Sequence, residues 1–517
     1  MTITKREYSQ FYIDGDWQES ASTDTIDVVS PGSGERIGGV PAATPADIDA
    51  AVEAARRAFY ETDWSRRPVS ERAELCRNLA AGISDHQKEL AELFTEEMGC
   101  TYFLSDVYQA TAPTLHWNYY AAVGEQYEFA EVREVDLSPL VGAGGGGIVP
   151  FAGKSLVVKE PVGVVAVMCA YNFALACVAQ KAGPALVAGC TVVVKVPEQN
   201  PLAIFAMGDL ITRAGFPPGV INIVAARAES SEHLVRHPDV DMVSFTGSTA
   251  VGRRIGEACG SLIRPCVLEL GGKSAAIVLP DADLDQALPV LVGASVGTNA
   301  GQSCVCLSRF LVPRERHDEI AAMLVAAFES LKIGDPMEAD TVVSPVISEA
   351  HRERVLGYVR KGVEEGATLA TGGKVPDHLP NGWYVEPTLL THVSNDMTVA
   401  QEEIFGPVAV LIPYDDEEDA IRIANDSDYG LSGSVFTADP AHGFEVARRI
   451  RTGTYSVNTF AADFNSPFGG YKRSGIGREH GVAGFEGYLL TKTISVDPST
   501  ELPAAAIADV AAAPAVV

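Results

Sequence analysis

A cysteine, a glutamate and an asparagine in separate motifs supply the groups that oxidation of a carbonyl through a thioester requires. Cys304 lies in an Asn-Ala-Gly-Gln-Ser-Cys-Val-Cys segment, and Glu269 lies 35 residues before it. Asn172 comes earlier still, between Tyr171 and Phe173. The sulfur can attack as a nucleophile, the carboxylate can act as a base and the amide can donate to an oxyanion. These three residues are therefore the predicted catalytic set.

Each of the three has a structural alternative. Cys304 can be an ordinary buried thiol, and Cys306, two residues later, is its control, because only one of the two is expected to face the cleft. Glu269 ends an apolar strand, where burial raises a carboxyl pKa towards the range of a base; a turn cap is the alternative. Asn172 follows a strand, where its amide can face an oxyanion or cap the helix that begins near Ala174.

Short apolar strands that alternate with helices position these groups. The alternation predicts a doubly wound, Rossmann-like α/β domain with a parallel sheet, whose ligand lies at the carboxyl ends of the strands. The predicted strands are Val164–Met168, Thr191–Val196, Ile221–Val224, Val240–Thr246 and Cys266–Leu270. The predicted helices are Ala174–Ala188, Leu202–Ala214, one near Ser230–His237 and one from Thr249.

A second α/β series follows and is predicted to form a second domain, so that a cleft lies between the two. It starts near Ala275–Leu279 and runs to about residue 485. Within it the pattern predicts a strand at Phe310–Pro313 and a helix at Arg314–Leu331. A helix from about Asp283 to Val296 leads directly into the Cys304 loop.

Two segments fit neither series and are predicted to be edge strands of a small β element for oligomerisation. Residues 140–160 alternate after a glycine run, and Tyr488–Val496 is typical of a strand. The run from Gly142 to Gly147 matches the pattern G-x-G-x-x-G, but neither a strand before it nor a helix after it is predicted. We therefore interpret the run as a loop without a phosphate-binding role.

These patterns divide the chain into predicted domains. Residues 1–139 and 161–271 form the cofactor domain, and residues 272–485 form the catalytic domain. Residues 140–160 and 486–500 form the oligomerisation hairpin and strand, and residues 501–517 are a flexible tail. We expect a homo-oligomer, either a dimer or a tetramer.

The composition restricts partners and compartment. The 517 residues carry 39 Lys+Arg against 68 Asp+Glu, a net charge of −29, which argues against nucleic acid or an anionic membrane surface as a partner. The nine cysteines lack CxxC or CxxH pairs, which favours reduced thiols over a disulfide frame or a metal site. The N-terminus is unlike a signal peptide, and no run reaches the ~18–20 apolar residues of a membrane span. We expect a cytoplasmic protein without a metal.

Two segments are candidates for nucleotide binding. The segment Phe245-Thr-Gly-Ser-Thr249 follows a strand and opens a helix, so its amides and the helix dipole can face a pyrophosphate. A capped strand-to-helix turn explains the segment equally well. Lys195 ends a buried strand and Glu198 lies three residues later. A Glu at that place would bond a ribose 2′-hydroxyl and repel a 2′-phosphate, which favours NAD over NADP.

Together the motifs resemble those of the aldehyde dehydrogenase family, from about Asp14 to Val496. Any one stretch can arise by chance, whereas all of them in order are highly specific. The resembling stretches are Tyr171-Asn-Phe173, Lys195-Val-Pro-Glu198, Phe245-Thr-Gly-Ser248, Leu268-Glu-Leu-Gly-Gly-Lys273, Gly301-Gln-Ser-Cys304, Glu402-Glu-Ile-Phe-Gly-Pro407 and Ser466-Pro-Phe-Gly-Gly-Tyr-Lys472 with Ser474-Gly475.

The resemblance implies a role for each matching residue. It implies that Cys304 is the nucleophile, that Glu269 is the base for thioester hydrolysis, and that Asn172 and the Cys304 amide form the oxyanion hole. It implies a second-shell proton path to the base through Lys181 and Glu479. Residues implied to contact NAD are Lys195, Glu198, Phe245, Gly247, Ser248, Leu270, Glu403 for the nicotinamide ribose, and Phe405 beside it. The expected reaction is oxidation of an aldehyde to the acid with reduction of NAD.

The resemblance does not identify the aldehyde. Ala170-Tyr171 and Ala174 replace the Pro-Trp and Pro that are usual in the family, so the mouth of the substrate tunnel is expected to differ. Aromatic residues predict an apolar tunnel for aliphatic, terpenoid or aryl aldehydes. These predicted substrate residues are Tyr171, Phe173, Phe464 and Phe468.

Two other functions remain as alternatives. In an acylating enzyme, coenzyme A resolves the thioester, and such enzymes generally lack the hydrolytic Glu that Glu269 supplies here. A catalytically silent protein on the same fold is the second alternative, and the intact Cys304, Glu269 and Asn172 argue against it. A preference for NADP is disfavoured by Glu198.

Overall fold

The computed structural model describes residues 5–136, 152–461, 463–497 and 500–502. The predicted loop at Gly142–Gly147 and nearly all of the predicted tail lie outside these residues. In chain order the described strands are β1 Gln10–Ile13, β2 Asp16–Glu19, β3 Thr25–Val29, β4 Arg36–Pro41, β5 Ala130–Asp136, β6 Ala152–Pro161, β7 Val164–Met168, β8 Thr191–Val196, β9 Ile221–Ala225, β10 Met242–Thr246, β11 Cys266–Glu269, β12 Ser274–Val278, β13 Leu307–Pro313, β14 Thr368–Thr371, β15 Thr388–Thr391, β16 Val408–Tyr414, β17 Tyr429–Gly430, β18 Gly433–Phe436, β19 Ser456–Val457, β20 Tyr471–Lys472, β21 Gly475–Ile476 and β22 Leu489–Val496.

The first five helices of the described residues follow one another between β4 and β5, and most of the later helices alternate with strands. None of them is long and apolar enough to cross a membrane. They are α1 Pro45–Tyr60, α2 Val69–Asp85, α3 Gln87–Met98, α4 Tyr102–Ser105, α5 Ala112–Gln126, α6 Ala174–Ala188, α7 Leu202–Ala214, α8 Ala228–Arg236, α9 Thr249–Leu262, α10 Leu284–Val292, α11 His317–Glu329, α12 Glu349–Glu364, α13 Thr398–Gln401, α14 Glu417–Asn425, α15 Pro440–Arg449 and α16 Gly481–Glu486.

The first sheet has eight strands in the order β2-β1-β9-β8-β7-β10-β11-β21. Strands β9, β8, β7, β10 and β11 are parallel, and their buried Val and Ile side chains explain why they occupy the centre of the sheet. The chain order reverses between β7 and β10. In doubly wound sheets such a reversal opens a crevice at the carboxyl ends of the two strands. Asn172 follows β7 and Gly247 follows β10, so both reach this crevice.

The second sheet has seven strands in the order β14-β15-β16-β13-β12-β18-β19, and all but β14 run parallel. The two sheets confirm the predicted α/β fold class. The helix predicted from Asp283 to Val296 is α10 followed by a π-helical turn at Gly293–Gly297. Pro289 lies inside α10 and lacks the N–H that would bond the carbonyl of Asp285 in the preceding turn.

A third sheet is antiparallel, with β6 between β22 and β5. The predicted strand at Tyr488–Val496 is β22, and it pairs with β6 from Leu489 to Val496. The alternating part of residues 140–160 forms β6, and β5 was not predicted. The role of this sheet in oligomerisation and the predicted domain bounds stay predictions.

Candidate active site

Cys304 follows a tight reversal of the chain at Asn299–Gly301. Asn299 and Ala300 have φ values of 51° and 50°, a left-handed conformation that few non-glycine residues adopt. Gly301 also has a positive φ of 72°, and a Cβ at this position would overlap the carbonyl of Gly406. The glycine therefore allows the cysteine loop to pack directly against the segment that carries Glu403.

Gln302 fixes the loop just before the cysteine. Its side chain is fully buried; Nε2 donates to the carbonyls of Asn299 at 3.1 Å and Pro345 at 3.4 Å. Its Oε1 accepts from the amide of Ile347 at 2.9 Å and the hydroxyl of Tyr171 at 3.5 Å. A buried amide with all these partners sets one loop conformation. No role for Gln302 was predicted from the sequence.

Asn172 is attached to the same loop. One N–H of its side-chain amide donates to the carbonyl of Gln302 at 3.0 Å, and the residue is buried. The position that caps α6 is Phe173, and no side chain caps that helix. The capping alternative for Asn172 is therefore not adopted. An amide has two N–H groups, so the second remains for a ligand beside Cys304.

The two cysteines of the loop differ in their surroundings. Cys304 lines the large cleft described below, whereas Cys306 is buried and its Sγ donates to the carbonyl of Ser295 at 3.5 Å. Burial, together with the charges of Glu403 and Glu269, raises the pKa of the Cys304 thiol well above its usual range. The thiol therefore stays protonated at neutral pH unless a base takes its proton.

Glu269 ends β11 and is 2% exposed. Neither of its carboxylate oxygens has a hydrogen-bond partner among the described residues, so it does not cap the next turn. Gly469 and Gly475, both with positive φ, approach its Oε1, and a Cβ on Gly469 would lie 2.7 Å from that atom. Burial raises the pKa of Glu269 well above its usual range, and the nearby Glu479 raises it further.

Lys181 and Glu479 form an ion pair next to Glu269. Both side chains are buried, and their charged atoms are in contact. Burial is the largest single influence and would lower the pKa of Lys181, but Glu479 together with Cys177 and Tyr488 raises it overall. The backbone of Glu479 exchanges two hydrogen bonds of 2.7 Å with the backbone of Phe468. The pair therefore lies close to the candidate base, and the backbone of Glu479 is bonded to one of the predicted substrate residues.

A cleft of about 560 Å³ opens from Cys304 along the crevice of the first sheet. It includes the thiol, the oxyanion candidate and all eight residues predicted to contact the cofactor. The predicted residues in its wall are Tyr171, Asn172, Lys195, Glu198, Phe245, Gly247, Ser248, Leu270, Cys304, Glu403 and Phe405. Glu269, Lys181, Glu479, Phe173, Phe464 and Phe468 do not line it.

The far end of the cleft is suited to a nucleotide. Ser248 caps α9, its side chain accepting from Val251 N at 3.4 Å, and the first turn of this helix faces the cleft. Burial lowers the pKa of Lys195, whose ammonium has no hydrogen-bond partner among the residues that the structure describes. Glu198 lies 3.6 Å from the guanidinium of Arg227. A helix N-terminus, an amine and a carboxylate fit a pyrophosphate and ribose hydroxyls.

The near end carries a second carboxylate. Glu403 accepts from the amide of Gly272 at 2.9 Å, and a Cβ on Gly271 would overlap its carboxylate. Burial raises its pKa to about 7. Arg354 donates to the carbonyl of Glu403 at 2.7 Å, and the ring of His351 contacts the carbonyl of Phe405 at 2.6 Å. Neither Arg354 nor His351 was predicted from the sequence, because no local motif connects α12 to this segment.

The predicted substrate residues occupy two places. Tyr171 lies in the cleft wall with its ring edge-on to Phe405, at 5.9 Å between centroids. Phe173 packs against Tyr108 at 5.6 Å. Phe464 packs on His116 at 4.4 Å, and Phe468 packs on His480 at 5.3 Å.

Comparison with known proteins extends over almost the whole chain. The family model of the aldehyde dehydrogenase family matches residues 17–494. Geranial dehydrogenase of Castellaniella defragrans is 38% identical over 494 residues, which are 96% of this chain and 99% of that protein. The 3-succinoylsemialdehyde-pyridine dehydrogenase of a Pseudomonas species is 39% identical over 492 residues, 95% of this chain and 98% of that one.

Solved structures give the same result. An aldehyde dehydrogenase of Mycobacterium tuberculosis complexed with NAD+ is similar with a TM-score of 0.90 and 42% identity, covering 96% of this chain and all of that one. Aldehyde dehydrogenase C of Pseudomonas syringae, a cysteine-to-alanine mutant with NAD+ and octanal, has a TM-score of 0.89 and 37% identity, covering 96% of this chain and 98% of that one.

Proposed function

This chain belongs to the aldehyde dehydrogenase family, and we propose that it oxidises an apolar aldehyde to the carboxylic acid through a covalent intermediate on Cys304. The observation that carries the proposal is the position of Cys304 in the cleft wall, with the amide of Asn172 fixed beside it. NAD is the cofactor, and when bound it accepts the hydride from the reacting carbon.

The first step forms a bond between the sulfur of Cys304 and the aldehyde carbon. The thiol proton passes through water to Glu269, whose raised pKa makes it a better acceptor than an ordinary carboxylate. The carbonyl oxygen becomes an oxyanion, which accepts from the second N–H of Asn172 and from the amide of Cys304. Loss of the hydride then converts the thiohemiacetal into a thioester and restores the carbonyl.

Hydrolysis of the thioester completes the reaction. After the proton of the first step has left Glu269, this carboxylate removes a proton from water and the oxygen adds to the thioester carbon. The C–S bond then breaks to release the acid, and the proton on Glu269 returns to the Cys304 sulfur. Lys181 and Glu479 take the proton from Glu269 towards solvent, a role supported by their burial against it. Splitting one oxidation into two covalent steps lowers the barrier of each.

The cleft holds the cofactor in one orientation. Lys195 and Glu198 bond the adenosine ribose, and the first turn of α9 with Ser248 faces the pyrophosphate. Glu403 bonds the nicotinamide ribose, with Phe405 packed beside it. Phe245, Gly247 and Leu270 complete the wall. Glu198 makes a 2′-phosphate unfavourable, although Arg227 partly offsets its charge, so NADP is the poorer cofactor.

The substrate is an aliphatic, terpenoid or aryl aldehyde. Phe173, Phe464 and Phe468 form an aromatic wall outside the cofactor cleft, and Tyr171 closes the side next to the reacting carbon. The geranial and octanal named for two similar proteins are aldehydes of this kind. Such a chain reaches Cys304 from the side opposite to the cofactor.

The experiment measures NADH or NADPH formation by the wild type, Cys304→Ala and Cys306→Ala over a panel of aldehydes. We expect activity with NAD in the wild type and in Cys306→Ala, and none in Cys304→Ala. Activity that survives in Cys304→Ala contradicts covalent catalysis. Release of acyl-coenzyme A after addition of coenzyme A would favour the acylating alternative, which the presence of Glu269 disfavours. Inertness towards every aldehyde would favour a silent protein.

A further inference from the structure

A group of buried polar rings lies next to the proposed substrate wall and is not used by the proposed mechanism. His116 on α5 is fully buried, and His480 is 6% exposed. Their ring centroids are 5.0 Å apart, and both rings pack on Phe464, at 4.4 Å and 5.7 Å. His480 also packs on Phe468. Two of the aromatic residues proposed to contact the substrate therefore share this histidine pair.

Each histidine leaves one ring nitrogen without a hydrogen-bond partner among the described residues. These atoms are Nδ1 of His116 and Nε2 of His480. A buried polar atom that lacks a partner is costly, so the pair is expected to bind a polar group that the protein itself does not supply.

The hydrogen bonds on the other nitrogens determine what kind of group this is. The amide nitrogen of Gln180 lies 3.2 Å from Nε2 of His116 and donates to it. Burial lowers the pKa of His116 to about 3, so the ring is neutral and its single proton is on Nδ1. The backbone of Asp463 bonds His480, and burial lowers the pKa of this ring also. With its proton towards the Asp463 carbonyl, His480 presents a lone pair on Nε2.

Gln180 lies on α6 beside the pair. It is the one residue of α6 that is not buried. It lies seven residues after Phe173, which is two helical turns further along the same face of α6 and about 10 Å from it. Phe173 adjoins Asn172 and the reacting carbon. The polar rings are therefore placed about 10 Å further along α6 than Phe173.

We propose that His116 and His480 form a polar subsite at the far end of the substrate channel, which binds a hydroxyl on the distal part of the aldehyde. A hydroxyl both accepts and donates, so it can accept from Nδ1 of His116 and donate to Nε2 of His480. The body of the same substrate stays apolar, because the channel between Cys304 and the pair is aromatic. The subsite rests on the proposed function and adds that the preferred aldehydes are hydroxylated.

The test compares two aldehydes that differ by one hydroxyl, hydroxycitronellal and dihydrocitronellal, with NAD as the cofactor. We expect kcat/KM of the wild type to be roughly three- to ten-fold higher for hydroxycitronellal, the range of one or two hydrogen bonds. His116→Phe keeps a ring against Phe464 and removes the donor, so the two values should become equal. Gln180→Leu should also reduce the ratio of kcat/KM for hydroxycitronellal to that for dihydrocitronellal. Gln180 is half-buried, so folding should be less sensitive to this substitution than to one at a buried position.

The matched control is His317→Phe. His317 is also buried and also has an unpartnered Nε2, but it begins α11 beside the second sheet. This variant should keep the wild-type ratio, whatever it does to stability. The subsite is overturned if the wild type has equal kcat/KM for the two aldehydes, or if the preference for hydroxycitronellal persists in His116→Phe. In either case, oxidation of dihydrocitronellal leaves the proposed function intact. Absence of activity on both aldehydes and on octanal overturns the proposed function and the subsite together.

Discussion

The two sides of the proposed catalytic centre are built in opposite ways. On the nucleophile side, Gln302 and Asn172 are buried and their side-chain amides make hydrogen bonds to several segments of backbone. On the base side, Glu269 is equally buried and makes no side-chain hydrogen bond among the described residues. A bonded amide holds a geometry, whereas an unbonded buried carboxylate holds a raised pKa. Hydrogen bonds fix the geometry of the nucleophile side, whereas burial without hydrogen bonds gives the base side a raised proton affinity.

The difference follows from what each group has to do. An oxyanion donor must stay in place while charge develops on the substrate, and reorganisation at that moment would raise the barrier. A base must release and accept a proton at neutral pH, which an ordinary carboxylate does poorly. Hydrogen bonds to Glu269 would stabilise its ionised form and lower its pKa again. The absence of such bonds is therefore consistent with its proposed role.

Among the substitutions that keep Cys304, removing the base should have the largest effect. We expect Glu269→Gln to lower steady-state turnover by about 10²- to 10⁴-fold, because a glutamine cannot accept a proton from water. The measurement is NADH formation under saturating aldehyde and NAD. Glu97→Gln is the matched control: Glu97 is fully buried, but its carboxylate accepts from the amides of Leu202 and Ala203 at 2.7 and 2.9 Å. Turnover of Glu269→Gln within ten-fold of wild type would contradict its role.

Removing the oxyanion donor comes next. We expect Asn172→Ala to lower kcat by about 10²- to 10³-fold, while the protein still folds. Asn222→Ala is a suitable comparison, because Asn222 is also buried and its amide donates to the carbonyls of Val192 and Gly219. That variant should lose stability and keep its turnover. If kcat of Asn172→Ala stays near the wild-type value, the nucleophile side does not hold the oxyanion through this amide.

Local sequence was sufficient to predict the frame of the site. The predicted ends of α6, α7, β7 and β8 coincide with the observed ones, since Gly or Pro directly follows α6, α7 and β8 and Gly163 directly precedes β7. The motifs that follow β7, β10 and β11 were therefore placed correctly at one edge of the first sheet. The roles of the residues in them remain proposals.

The sequence did not predict the contacts that join distant segments. Gln302 bonds Pro345 and Ile347, more than 40 residues away, and His116 packs on Phe464 across most of the chain. Side-chain contacts of this kind leave no periodicity and no motif. Short pairings such as β21 on β11, two residues long, are equally invisible, because two residues show no alternation.

The smallest expected change tests the base side through its charge. The carboxylate of Glu479 raises the pKa of Glu269, and Lys181 and Arg478 lower it. Glu479→Gln removes the negative charge, so the pKa of Glu269 should fall. Because the base is active when it is deprotonated, the acidic limb of the kcat–pH profile should move to lower pH. Turnover on the alkaline side should change little, provided that proton transfer does not become rate-limiting.

This shift separates an electrostatic role from a structural one. Glu479→Gln leaves Lys181 buried without its partner, which should cost about 3–5 kcal/mol of stability and lower the Tm. A loss of stability alone would not move the acidic limb of the kcat–pH profile to lower pH. Glu486→Gln on α16 removes an exposed carboxylate that accepts from the Tyr127 hydroxyl at 2.9 Å, and it should leave the limb in place. A limb that moves to higher pH in Glu479→Gln would mean that the ion pair does not raise the pKa of Glu269. The proton affinity of the base side would then come from burial alone.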